Sequence, residues 1–172
     1  MLMLVNIAEL TGIGEELSFA FETSAEALDA VSGNCTFAAP IVVKGKVTNT
    51  GTGYRAEGSI LCRRSFLCDR CLEPCTEEQQ VEFLEDFRPG GDESAPEDGN
   101  ALDGDAMDIT GMVRDTLLAA QPLSNICKPE CKGLCPVCGA NLNQGTCGCD
   151  TFVPDPRLAA LQQFKESSDE WM

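Results

Sequence analysis

The stretch that decides the fold spans residues 127–149 and reads CKPECKGLCPVCGANLNQGTCGC. Its centre, CPVCG at 135–139, has the form of a zinc knuckle, in which two sulfurs separated by two residues can reach one ion. A further pair, Cys68-Asp-Arg-Cys71, lies earlier in the chain. Zinc sites with four thiolates are closed and structural, so the pattern predicts metal that stabilises the fold.

The eight cysteines with paired spacing suit two four-thiolate sites, and the sequence allows two divisions of them. The first division forms one local site, which has a short loop closure, from Cys135, Cys138, Cys147 and Cys149. Its second site would join two distant halves of the chain through Cys68, Cys71, Cys127 and Cys131. The other division gives one ion to Cys127, Cys131, Cys135 and Cys138. Cys35, Cys62 and Cys75 fall outside the spacing, and we expect Cys62 to be a core thiol.

Composition also favours metal held by sulfur. The 172 residues include eleven cysteines and no histidine, which excludes histidine-ligated metal and histidine-dependent nucleophilic catalysis. The start of the chain, MLMLVNIAEL, lacks the basic region of a secretory signal, and no apolar stretch reaches about 18 residues. We therefore expect a cytoplasmic protein without a membrane segment, whose thiols stay reduced.

The net charge of the chain indicates which kinds of macromolecule it could bind. With 28 acidic and 12 basic residues, the formal charge is -16, which argues against a general electrostatic binder of nucleic acid. Residues 41–71 nevertheless form a basic island that runs into the first cysteine pair. The candidate RNA-binding residues are Arg63, Arg64, Arg70, Lys128 and Lys132. A solvated strand face, in which these bases pair with carboxylates, is an equally good interpretation.

Alternating hydrophobic residues predict strands in the first half of the chain. The alternation is clear in 16–22 (ELSFAFE) and 78–88 (EQQVEFLEDFR). Residues 40–48 and 53–62 flank a Thr-Gly-Thr-Gly turn and predict a hairpin. Residues 1–88 are thus expected to form the antiparallel, β-rich half of a single domain.

The second half predicts an α+β fold. Residues 89–106 are rich in Gly, Pro and acid, so we expect an acidic flexible loop. Residues 107–172 would complete the domain with a helix near 110–120, the zinc-ribbon-like cysteine cluster and a C-terminal helix over 155–164. The first helix would bury an apolar stripe of Met112, Val113, Leu117 and Ala120. Asp155 followed by Pro156 is a typical helix start.

Several strings together resemble the YceD family, also called large ribosomal RNA subunit accumulation protein or domain of unknown function 177. They are CDRCLEP at 68–74, ITGMVRDTLLAAQP at 109–122, the cysteine run at 127–149 and DPRLAALQQF at 155–164. The resemblance implies a cytosolic bacterial protein with plastid relatives, without enzymatic activity, that is linked to accumulation of large-subunit rRNA. Some members of this family lack the distal cysteines and keep equivalents of Cys68 and Cys71, which favours the first division.

The sequence thus leads to functions of different classes. The first is a non-catalytic factor, containing about two Zn²⁺ per chain, that supports accumulation of 23S rRNA and assembly of the large ribosomal subunit. Its partner would be precursor large-subunit rRNA or a basic ribosomal protein, with no small-molecule substrate. The alternative is a redox-regulated zinc holdase chaperone, in which oxidation expels the metal. An iron–sulfur electron carrier, which also uses four thiolates, is the third.

Overall fold

The structure, a computed structural model, describes residues 2–30, 35–89, 101, 102, 104–150 and 157. The chain forms two compact units. The first comprises Met1–Cys68 and Glu73–Cys127, and the second comprises Asp69–Leu72 and Lys128–Met172. No helix among the described residues is long and apolar enough to cross a membrane.

The first unit is built mainly from strands. Its elements are β1 (Leu4–Asn6), β2 (Glu16–Thr23), β3 (Cys35–Asn49), β4 (Tyr54–Leu67), β5 (Pro74–Pro89), β6 (Ala101–Leu102), β7 (Ala106–Asp108) and helix α1 (Thr110–Ala119). One sheet has the order β2-β3-β4-β5-β6, in which only the short β5–β6 pair is parallel. β1 and β7 form a separate antiparallel pair.

Residue alternation gives the main sheet one apolar face and one charged face. Ile41, Val43 and Val47 of β3 have no exposed surface, and Ile60 of β4 shares their face. The opposite face carries cross-strand ion pairs, such as Arg55 with Asp86 at 2.7 Å. Opposite charges on facing strands stabilise a sheet modestly, while the apolar face supplies the core.

Helix α1 packs its apolar stripe into the same core. Met112, Val113 and Leu117 are buried at helical spacing, as the sequence predicts. The Asp108 carboxylate accepts a hydrogen bond from the backbone N–H of Thr110 at 2.8 Å at the start of the helix. Pro122 lies just past the helix end.

The predicted α+β class is wrong, because the protein is mostly β-sheet. Strands account for 46% of the described residues and helix for 8%, and α1 is the one helix among them. β6 and β7 have two and three residues, too few for a period of two to show in the sequence. The predicted C-terminal helix lies outside the described residues except for Arg157, as do residues 90–100 and 103 of the predicted acidic loop.

The second unit is held by turns around its cysteines. Within 128–150 the backbone forms one isolated bridge, between Leu134 and Asn141, and otherwise turns and irregular segments. The Cys135 N–H donates to the Ala140 carbonyl at 2.8 Å, and the Leu142 N–H donates to the Gly133 carbonyl at 2.9 Å. These bonds fold the segment 139–143 back onto the segment 131–135.

Candidate metal centres

The eight paired cysteines lie in two groups of four. The first tetrad consists of Cys68, Cys71, Cys127 and Cys131. The second tetrad consists of Cys135, Cys138, Cys147 and Cys149. Within each tetrad, all Sγ atoms lie within 4.8 Å of one another. The structure therefore groups the thiols as in the first of the two divisions that the sequence allows.

The sulfur separations fit a metal ion. Tetrahedral zinc with Zn–S bonds of about 2.3 Å requires S–S separations of about 3.8 Å. The Sγ atoms of each tetrad lie within 4.8 Å of one another, which is close enough for one ion to reach all four. Either tetrad could thus hold an ion, and all four positions would be filled by protein sulfur.

The turn after β4 presents two ligands of the first tetrad. The Cys68 N–H donates to the Glu73 carbonyl at 2.9 Å, which closes the turn, and the Cys68 Sγ accepts a bond from the Cys127 N–H at 3.4 Å. Leu72 in the turn has a φ of 58°, which a bulky residue rarely adopts. This tight turn brings the buried thiols of Cys68 and Cys71 within 4.8 Å of each other.

Arg70, a predicted RNA contact, is used inside the second unit. Its Nη1 donates to the carbonyls of Pro129 at 3.3 Å and Cys131 at 3.1 Å. The Arg70 carbonyl in turn accepts from the Leu134 N–H at 3.0 Å. Gly133 has a φ of 74°, and a Cβ there would lie 3.0 Å from the Arg70 oxygen, so glycine suits this position. Arg70 therefore fixes the segment that carries Cys131.

The second tetrad is nucleated by the knuckle at 135–139. The Cys135 Sγ accepts a hydrogen bond from the Val137 N–H at 3.4 Å, and the Gly139 N–H donates to the Cys135 carbonyl at 2.9 Å. Hydrogen bonds from the backbone N–H groups of Cys138 and Val137 lower the pKa of Cys135 to about 6. Cys135 is therefore a ready thiolate ligand at neutral pH.

Two other thiols of the second tetrad, Cys147 and Cys149, have raised pKa values. Hydrogen bonding with the Cys138 and Cys147 thiols raises the pKa of Cys149 to about 12. A divalent cation reverses this effect, because it stabilises every thiolate that coordinates it. A cation bound at the second tetrad would therefore favour the thiolate form of Cys149.

Two cysteines outside the tetrads are core thiols. Cys35 and Cys62 are buried, and burial raises the pKa of each thiol, which keeps it protonated. The Cys62 Sγ donates to the Gln79 carbonyl at 3.7 Å. Cys75 is half-buried, and its thiol donates to the Glu73 carbonyl at 3.4 Å.

The other predicted RNA contacts differ in exposure. Arg63 is on the charged face of the sheet, where it pairs with Glu78 at 2.8 Å and both side chains are more than half exposed. Arg64 points to the inner face, as alternation from Ile60 and Cys62 would have indicated, and is 5% exposed. Lys128 and Lys132 are exposed. Contact of these residues with RNA stays a prediction.

Arg64 is a buried structural residue. Its Nε donates to Glu77 at 2.6 Å and its Nη1 to the Asn125 Oδ1 at 2.8 Å. Its guanidinium also lies 4.5 Å from the centre of the Phe66 ring, within range of a cation–π interaction.

Asn143, which the sequence reasoning missed, contacts a ligand of the first tetrad. Its Nδ2 donates to the Cys131 Sγ at 3.4 Å, and its Oδ1 accepts from the Lys132 N–H at 2.9 Å. The only sequence signal was an asparagine pair, Asn141-Leu-Asn143, between two tetrad cysteines.

The sequence of this chain is similar to one protein family and to several known proteins. Residues 57–165 match the family model of the large ribosomal RNA subunit accumulation protein YceD. Uncharacterized proteins of Mycobacterium tuberculosis and Mycobacterium bovis are each 31% identical over 124 residues, which cover 69% of this chain and 59% of the relative. The chloroplastic large ribosomal RNA subunit accumulation protein YCED homolog 1 of Zea mays is 29% identical over 142 residues, which cover 64% of this chain and 48% of that protein.

The chain thus spans about half to three fifths of the length of these relatives. No solved structure matches it. The family match covers more than half of the chain and includes all eight tetrad cysteines, and it confirms the resemblance seen in the sequence. This protein belongs to the YceD family.

Proposed function

We propose that this protein is a non-catalytic zinc protein of the bacterial cytoplasm that supports accumulation of 23S rRNA and assembly of the large ribosomal subunit. The observation that carries the proposal is the presence of two complete four-sulfur groups within the residues that match the family. Chains of this family carry large-subunit rRNA accumulation in their name, and here the matching region is organised around two candidate metal centres.

A structural role follows from the donor sets. Each tetrad would surround its ion with four protein ligands, which leaves no coordination position for a substrate or an activated water. Thiolate ligands suit zinc and iron–sulfur clusters, and Sγ atoms within 4.8 Å of one another favour a single zinc ion over a larger cluster. The metal would then stabilise turns that a chain rich in glycine and acid does not stabilise alone.

Charge favours a basic protein partner over direct contact with RNA phosphates. Several bases of the basic island are already paired with carboxylates: Lys46 with Glu16 and Glu57, Arg55 with Asp86, Arg63 with Glu78, and Arg64 with Glu77. The chain carries a net charge of -16. Such a surface attracts the basic segments of a ribosomal protein and repels a phosphate backbone.

Deleting the gene in its own bacterium and measuring the ratio of 23S to 16S rRNA tests the function. We expect the ratio to fall, and a plasmid copy of the wild type to restore it. Cys68→Ser and Cys138→Ser copies should restore it poorly, whereas Cys75→Ser, outside both tetrads, should restore it fully. A normal 23S rRNA level in the deletion strain would refute the proposed function.

The purified protein provides the test of partner and of the chaperone alternative. We expect it to bind basic proteins of the large subunit at physiological salt more tightly than precursor 23S rRNA. Tighter binding to the RNA would reverse the preferred partner. Suppression of aggregation of an unfolded client only after oxidation would favour the holdase instead.

A further inference from the structure

We infer that Asn143 is a positioning residue for the first tetrad, through which metal binding at the two tetrads is coupled. The inference rests on the two metal sites of the proposed function. Asn143 lies in the loop between Cys138 and Cys147 of the second tetrad, yet its side chain contacts Cys131 of the first. It is not itself a ligand.

The hydrogen-bond network fixes which end of the Asn143 amide faces the sulfur. The Lys132 backbone N–H is a donor only, so the Oδ1 of Asn143 faces it, at 2.9 Å. The Asn141 Oδ1 is an acceptor that lies 2.9 Å from Nδ2, and it also accepts from the Asn143 backbone N–H at 3.0 Å. The Nδ2 group therefore points its second hydrogen at the Cys131 Sγ, at 3.4 Å.

A hydrogen bond of this kind matters most when the sulfur is a metal-bound thiolate. The N–H group partly compensates the negative charge of the sulfur and fixes its direction toward the ion. Cys131 is 4% exposed, so water does not easily replace this donor. Groups that orient metal ligands in this way typically contribute about 10- to 100-fold to metal affinity.

The loop that carries Asn143 is closed by the second tetrad. A metal ion on Cys138 and Cys147 would join the two ends of the loop, and the Leu142 N–H bond to the Gly133 carbonyl holds its middle against the segment that carries Cys131. Metal at the second tetrad would thus preorganise the donor that the first tetrad uses. Because coupling between binding sites is reciprocal, metal at the first tetrad strengthens binding at the second by the same factor.

Asn143→Asp separates the donor role from a general structural role. Aspartate keeps the oxygen that accepts from Lys132 and the approximate shape of the side chain, but it lacks the N–H group and brings a negative charge to Cys131. Thr146→Ala is the matched control, since Thr146 is an exposed residue of the same loop. Cadmium-113 NMR distinguishes the sites, because the resonance that Cys68→Ser removes belongs to the first tetrad.

We expect Asn143→Asp to lower the cadmium affinity of the first tetrad about 10- to 100-fold in competition with a chelator, and to shift its resonance. In Asn143→Asp with cadmium bound at the first tetrad, the cadmium affinity of the second tetrad should fall toward its value in Cys68→Ser. The control Thr146→Ala should have the wild-type affinity at both tetrads. In the wild-type cadmium protein, the Asn143 side-chain amide should show a scalar coupling to the ion of the first tetrad across the hydrogen bond, a readout that needs no variant.

The possible failures are distinguishable. If the wild type binds two cadmium ions but shows no coupling to Asn143, or if Asn143→Asp leaves the affinity and resonance of the first tetrad unchanged, the role of Asn143 is refuted and the two-site proposal stands. If the wild type does not bind two ions, the two-site proposal fails and this inference fails with it.

Discussion

Each tetrad consists of four cysteine thiols, but the surroundings of the two tetrads differ. In the first tetrad, Cys68, Cys71 and Cys131 are at most 4% exposed, and Cys127 is exposed. In the second tetrad Cys135 is buried, whereas Cys138 and Cys149 are exposed. The first tetrad therefore has one exposed cysteine and the second has two, which makes the second more open to chelators, oxidants and partners.

The tetrads also differ in how far apart their ligands lie in the chain. The second closes a loop of local segments, while the first brings together Cys68 and Cys127, which are 59 positions apart. Closing a long loop costs more conformational entropy, although the cost grows only slowly with length. The first tetrad thus depends more on folded surroundings, and the second on its local turns and on the metal.

The largest effects should come from removing ligands. Structural zinc contributes about 10–16 kcal/mol of apparent binding free energy, comparable to the 5–15 kcal/mol stability of a whole domain. We expect Cys138→Ser to open 135–150 to hydrogen exchange while β2–β5 stay protected. Cys68→Ser should open the turn at 68–73 and the ends of β4 and β5 next to it.

Cys75→Ser is the control for this comparison, because it removes a thiol outside both tetrads. It should keep both metals and the wild-type exchange pattern. If the two ligand variants opened the same residues, the difference between the tetrads would be refuted.

Arg64 tests whether the first tetrad depends on the core next to it. Arg64→Ala removes a buried side chain together with its hydrogen bonds to Glu77 and to Asn125, two residues before Cys127, so we expect a loss of about 1–3 kcal/mol in the free energy of unfolding. Arg63→Ala removes only the exposed pair with Glu78, which is worth about 0–1 kcal/mol. Urea unfolding measures both, and equal losses would contradict the assignment of Arg64 as structural.

Gly133 lies between Cys131 and Cys135, on the segment that serves both tetrads. Gly133→Ala forces an L side chain into a φ of 74° with its Cβ close to the Arg70 carbonyl, so we expect about 1–2 kcal/mol of destabilisation and faster metal release from both tetrads. Gly145→Ala, where a Cβ meets nothing within 4 Å, is the control. Unchanged release rates in a chelator assay of Gly133→Ala would show that the segment tolerates the strain.

The smallest effect concerns Asp86, on the charged face of the sheet and outside both tetrads. Its hydrogen bond with Arg55 lowers the pKa of the carboxyl below its ordinary value of 3.8. The resulting stability is present above that ordinary value and is lost as the pH falls through the folded-state pKa. Asp86→Asn should therefore reduce, by about 1 kcal/mol or less, the loss in the free energy of unfolding that occurs as the pH falls into the acid range. The metal content should not change.

Glu82→Gln, on the same strand and outside the Arg55 pair, should leave this loss at acid pH unchanged. An equal effect of the two variants would mean that the Asp86 pair adds nothing measurable. Metal loss in Asp86→Asn would show that the charged face and the tetrads are linked.

The sequence indicated the parts of this molecule that depend on local pattern. The Thr-Gly-Thr-Gly turn placed the hairpin of β3 and β4, and helical spacing placed Met112, Val113 and Leu117 on the buried side of α1. The spacing of the cysteines, with loop closure as the criterion, favoured the division that the structure shows. These features follow from residues that are close together in the chain.

Features that depend on tertiary contacts could not be obtained in the same way. β6 pairs with β5 over only two residues, so its sequence carries no strand signal. The predicted fold class was wrong because α1 is the one helix among the described residues. Charge alone suggested Arg64 and Arg70 as surface contacts, whereas one is buried and the other binds backbone carbonyls. The contact of Asn143 with Cys131 joins residues twelve positions apart, from the loop of the second tetrad to a ligand of the first.

Metal content tests the central claim most directly, namely that the eight cysteines form two closed four-thiolate zinc sites. The measurement is native mass spectrometry with elemental analysis on freshly purified protein whose thiols are reduced. We predict about two zinc ions per chain in a colourless protein, falling to about one in Cys138→Ser and remaining at two in Cys75→Ser. One zinc ion or fewer in the wild type, or iron with visible absorbance, would contradict the account.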